Sequence, residues 1–268
     1  MPASNRTCGA GSLQTKRLKP VDFSTQDGCW VPCAGSVTPW QTHIGSEEYP
    51  PDAKAFFAET GETTNSGHRD FQRWYDYYNK DSLTYTQMTN NGYHPYAYGY
   101  PWETVVREDF TETTTKLYAH GRQSYEMSYV MPDEKTVYST DDGTNCIFSK
   151  FVSTTAKDIK NGKNFCMKMT QTSAVGSEAK DFTADVTWIE MPTPTHDEAK
   201  AARKSTTFAD LFDSEACNAD GTCPTTGFKS INIGSCECLK LKSGKDKLAT
   251  VFEKRRITGT ASVCGDRV

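Results

Sequence analysis

EMSYVMPDEKTVYSTDDGTNCIFSKFV, residues 126–152, decides the fold class. It holds three short runs rich in β-branched and aromatic residues, EMSYVM, KTVYST and CIFSKFV, separated by Pro-Asp and Asp-Asp-Gly. That is the pattern of antiparallel strands joined by tight turns. Working outward, TVVREDF and TKLYAH precede it, while NFCMKM and FTADVTWIEM follow, with Asn161-Gly162 as a further turn. A meander of short strands at this spacing suits an all-β propeller or sandwich.

A few helices are expected around the strands. Pro50-Pro51-Asp52 starts a short one through Thr60, since proline suits a first turn and an early aspartate suits the positive end. Residues 70–82, DFQRWYDYYNKDS, place Phe71, Trp74, Tyr75 and Tyr78 on one helical face. Thr195 to Phe212 reads as a helix with Asp197 and Glu198 in its first turn, and KDKLATVFEKRR offers Leu248, Val251 and Phe252 as one face. Between these two lies a cysteine-rich stretch. Tyr96, Tyr98 and Trp102 read as packing residues rather than as a ligand shelf.

Composition excludes several functions. With 268 residues the chain buries a real core, and a net charge of -4 with dispersed Lys and Arg gives no basic footprint for nucleic acid. No apolar run approaches the ~20 residues of a membrane span. Residues 1–20 lack the apolar core of a signal peptide. Ten cysteines in loop-like sequence point to disulfides and an oxidising, extracellular compartment. Cys217 and Cys223 bracket a turn short enough to staple, and Cys29 and Cys33 flank a second tight segment. Connectivity stays open. A zinc site at Cys236 and Cys238 is the rival reading, without a second pair at the usual spacing. Asn5-Arg6-Thr7 is an N-glycosylation sequon.

The densest chemistry lies in PCAGSVTPWQTHIGSEEYPPDA, residues 32–53. Its turn-formers and Trp40 shape a loop that delivers Glu47 and Glu48. Adjacent carboxylates repel, and both stay ionised only when solvated or when a cation or donors neutralise them. A hard ion such as calcium suits that need.

This segment resembles a hallmark of the PhoX-like family of alkaline phosphatases and related secreted esterases, in which a TPWGT turn leads into a strand ending in Cys-Glu-Glu. Other segments match in order: GRQSYE at 121–126 is similar to the family's GRFSHE, residues 131–152 to its strand, Asp-Asp turn and strand, 164–190 to the next hairpin, and LATVFEKRR to a later helix. The resemblance implies a partial β-propeller of antiparallel blades with peripheral helices and disulfide-stapled loops. It implies one domain over 1–268, incomplete at its C-terminus, with 192–244 as an inserted helix and Cys-rich loop. It also implies a secreted, calcium-dependent phosphoesterase acting on phosphate monoesters or a related ester. Glu47, Glu48, Glu126, Asp141 and Asp142 are then the metal-binding carboxylates, with Ser46, His43 and Tyr125 beside them. The bland reading of Asp141-Asp142-Gly143 is a turn built by aspartate side chains.

Three departures shape the expectation. Ser46 stands where the family's iron-bridging cysteine stands, which argues against iron. Tyr125 replaces a histidine, and Gln41 replaces the glycine of TPWGT. Arg69, Arg73 and Arg122 are candidate phosphate ligands, with solvated or salt-bridged arginines as the plainer reading. Half a propeller leaves open strand edges, so the chain is expected to be either a fragment of a longer gene product or a protomer completed by a protein partner or a second copy. The competing class is a non-catalytic, calcium-stabilised extracellular scaffold. Nucleophile-elbow, zinc-helix, P-loop and dinucleotide signatures are absent.

Overall fold

A computed structural model describes residues 7–8, 20–58, 85–90 and 92–260. The helix expected over 70–82, Asn5, Arg69 and Arg73 lie outside them. Antiparallel sheet dominates. The strands are β1 (Thr7–Cys8), β2 (Val21–Asp22), β3 (Ser36–Val37), β4 (His43–Ser46), β5 (Pro101–Val106), β6 (Glu112–Lys116) and β7 (Tyr125–Val130). Then come β8 (Thr136–Asp141), β9 (Ser149–Thr155), β10 (Asp158–Gln171), β11 (Ala184–Met191), β12 (Phe212–Glu215), β13 (Lys229–Asn232) and β14 (Cys236–Leu241). Among the described residues, two of the four sheets are meanders in chain order, β3-β4-β5-β6 and β7-β8-β9-β10-β11. β1 pairs with β2, and β12-β14-β13 make a third layer.

Alternation along the strands places the core between the two meanders. Ile44, Leu117, Ala119, Val130, Val137, Phe151 and Ile159 form one buried cluster there. Gly45 on β4 faces Trp102 on β5, and a Cβ at that position would sit 2.2 Å from the indole, so only glycine permits the approach. Tyr96, Tyr98 and Trp102 are buried, as packing residues should be.

Short helices close the other side. α1 (Ala53–Phe57) is capped by Asp52, whose carboxylate accepts from Lys54 N and Ala55 N. α2 covers Tyr85–Asn90. The single helix expected over 195–212 is two: α3 (His196–Ala202) and α4 (Phe208–Leu211), each with its own capping box, Thr195/Glu198 and Thr207/Asp210. The second box restarts the helix and Phe212 opens a strand instead. Likewise KDKLATVFEKRR splits at Glu253 into α5 (Asp246–Phe252) and α6 (Lys254–Thr260). Val251 and Phe252 are buried as expected, and Leu248 is partly so. Among the described residues no helix is long and apolar enough to cross a membrane.

The disulfides correct the expected staples. Cys217 pairs with Cys236 and Cys223 with Cys238, tying the segment before β13 to β14. Both cysteines of the rival zinc site are thereby consumed. Cys33 is a free thiol, so it is not bonded to Cys29, which is itself in a disulfide.

Candidate metal centre

Beyond β4 the chain runs extended through Glu47 and Glu48, in an antiparallel bridge with residues 31–33. Cys33 N donates to Ser46 O at 3.0 Å, Glu48 N to Val31 O at 2.9 Å, and Glu47 bridges Pro32. In extended backbone successive side chains point to opposite sides. Glu47 and Glu48 therefore cannot serve one site together.

Glu47 turns inward and is fully buried. Its Oε1 accepts from Trp30 N at 2.7 Å and lies 2.8 Å from Lys116 Nζ; its Oε2 accepts from Gly99 N and Tyr100 N at 2.8 and 3.1 Å. Lys116 is equally buried, donates to Ala97 O at 2.9 Å and sits 4.7 Å over the Tyr98 ring. Burial lowers the pKa of Lys116, with the Glu47 charge opposing. The carboxylate that the family pattern assigns to metal is here the buried counter-ion of a lysine.

Glu48 turns the other way. Its carboxylate, that of Glu126 and the Cys33 thiol bring one ligand atom each within 4.8 Å of one another. Glu126 arrives by a β-bulge: pairing jumps from Tyr125↔Asp141 to Ser128↔Ser139, so β7 carries one extra residue there. The bulge leaves Glu126 and Met127 both exposed. Asp142 completes the group through a hydrogen bond with Glu48 and one from the Tyr49 hydroxyl. Burial, and then the Asp142 and Glu126 charges, push the Glu48 carboxyl up, with the Cys33 thiol opposing. The Cys33 thiol is also pushed up, first by burial and further by Glu48 and Glu126, although Ala34 N–H pulls the other way. A cation set among these donors would relieve both.

Strain marks the same place. Val31 has φ 32° and Tyr49 φ 45°, left-handed values on residues that rarely hold them, one on each strand of the bridge carrying Cys33 and Glu48. Gln41 has φ 66° in the turn where the family pattern carries glycine. Thr38 and Thr42 hold that turn through N–H and hydroxyl contacts.

The remaining expected residues have other duties. Asp141 is buried, accepts from Ser124 N and Ile147 N, and pairs with Arg255 at 3.1 Å. Ser46 Oγ lies 2.6 Å from Ala34 O and 3.2 Å from Glu126 O. Tyr125 is buried with its hydroxyl on Gly121 O, and the His43 ring lies against Gly35. Arg122 is buried on Tyr98 O and Pro51 O, a structural arginine. Cys33, expected only as a disulfide candidate, and Tyr49, not singled out, were missed as members of this group. Cys33 is 13 positions from Ser46 in sequence, and only the pairing of the two strands sets them side by side.

A family model described as alkaline phosphatase PhoX matches residues 4–229. No curated protein and no solved structure matches the chain significantly.

Proposed function

The chain belongs to the alkaline phosphatase PhoX family, a family of metal-dependent phosphatases, and from that premise we propose that it hydrolyses phosphate monoesters at a metal centre held by Cys33, Glu48, Glu126 and Asp142. The observation that carries this is the convergence of one thiol and two carboxylates within 4.8 Å, from segments far apart in the chain. Sulfur among the donors favours a transition ion such as iron, for which Cys33 supplies the ligand that Ser46 cannot. Calcium is the fit for the oxygen-only donors Glu48 and Asp142. When bound, such ions polarise a phosphoryl oxygen and carry part of the charge that develops on hydrolysis.

The protein's own residues preorganise the site. The Glu47–Lys116 pair anchors the strand that presents Glu48. The bulge aims Glu126, and Tyr49 tethers Asp142. In the same reading the four- and five-stranded meanders are neighbouring propeller blades, supported by their chain-order topology and shared core. Residues 192–244 are an addition to them within a single domain. Secretion is supported by the disulfides.

The test is turnover of p-nitrophenyl phosphate after loading with calcium and iron. Cys33→Ser and Glu48→Gln are expected to lower kcat by roughly a hundredfold or more, with chelation doing the same. Metal binding without turnover in the unaltered protein would favour the non-catalytic scaffold instead.

A further inference from the structure

Tyr49 is held by three hydrogen bonds. Its backbone sits at φ 45°. Its N–H donates to Ser124 Oγ at 2.9 Å, its carbonyl accepts from Trp30 Nε1 at 2.9 Å, and its hydroxyl donates to Asp142. Such an anchored tyrosine would ordinarily be buried, yet Tyr49 is 52% exposed. The ring is open to solvent and bonded through its hydroxyl to Asp142, a carboxylate of the cluster. Met127, 39% exposed, adds a second apolar group next in sequence to Glu126.

We infer that Tyr49 sets the leaving-group preference of the site, favouring phosphate esters whose leaving group is a flat aromatic ring that can lie against the phenol. This rests on the metal-centre reading of the preceding section. Phosphate would reach the donors Cys33, Glu48, Glu126 and Asp142, whereas the group esterified to it projects toward solvent, where Tyr49 stands. A ring fixed in advance loses little freedom on stacking, so its contact favours a planar partner over an alkyl one. The Asp142 hydrogen bond supplies the fixing.

The experiment is calorimetric titration of the metal-loaded protein with phenylphosphonate and with ethylphosphonate, whose P–C bond is not hydrolysed, preceded by measurement of bound metal. The unaltered protein is expected to bind the phenyl ligand about five- to tenfold more tightly. Tyr49→Ala brings that ratio to about one, and Tyr49→Phe, which keeps the ring but frees it from Asp142, falls between. Equal affinities in the unaltered protein would overturn the assignment, as would a Tyr49→Ala variant that weakens both ligands alike or loses its metal. Those results would leave Tyr49 as a support for Asp142 only. A protein that takes up no metal sinks the metal-centre reading and this inference together, whereas bound metal without aryl preference sinks this inference alone.

Discussion

Glu47 and Glu48 are neighbours with opposite surroundings, because the extended chain sends one to each side of the same strand. Glu47→Gln leaves the Lys116 ammonium buried without a counter-charge. It is expected to destabilise the fold by ~3 kcal/mol or more in urea unfolding, the usual cost of orphaning one partner of a buried pair. Glu48→Gln removes a carboxylate from a like-charged group. Its expected effect is under ~1 kcal/mol, or a gain in the metal-free protein. An equal loss for both would refute the division of labour. At the same scale, the two free thiols among the described residues differ: iodoacetamide without reductant should label Cys33 and Cys146, and metal loading should protect Cys33 alone of these two, as read by peptide mass spectrometry. The residue scale is also where the sequence was least legible. The pair of acidic residues announced a carboxylate site, but which of them serves it depends on strand direction, and the Cys33 thiol, in the same segment, was read as a disulfide candidate rather than as a ligand.

Elements were more readable, for a physical reason. Strand runs between Thr104 and Met191 alternate, so β7, β8 and β11 follow from local pattern, whereas TKLYAH runs past β6 into a 3-10 turn at Tyr118–His120 and Asn161-Gly162, expected as a turn, lies inside β10 at a register shift. Helix ends were read less well. Thr207 and Asp210 spell a second capping box that a continuous helix over 195–212 overlooks, and the Cys-rich stretch hid CECLKL, which forms β14. That small sheet is held by two disulfides closing loops of 19 and 15 residues. In the loop-entropy account each contributes ~3 kcal/mol. Reduction is accordingly expected to lower the melting temperature and to expose 216–236 to proteolysis while the meanders stay protected. Simultaneous cleavage across both meanders would contradict the separation of these layers.

Across the whole molecule, buried neutral histidines set the acid limit. Burial pushes His120 down to about 3 and His94 and His196 down to about 4. In the unfolded chain these rings take up protons near 6.5, and in the folded chain they do not. The contribution of these three rings is therefore complete above 6.5, and it falls as pH drops toward 4, by up to ~4 kcal/mol per unit when all three lag. Burial holds Lys254 down to about 7, which adds a gentler fall above that pH. Thermal melting of the metal-free protein between pH 8 and 4 should therefore fall gently at first and then steeply; a constant melting temperature down to pH 4 would contradict the assignment. The sheets and this buried polar core give a rigid frame, and function rests on what that frame brings together at one surface. Elemental analysis of the purified protein, alongside Cys33→Ser and Ser46→Ala, measures this most directly. The account predicts bound metal in the unaltered protein and in Ser46→Ala, lost in Cys33→Ser. Metal retained in full by Cys33→Ser, or absent from the unaltered protein after loading, would contradict it.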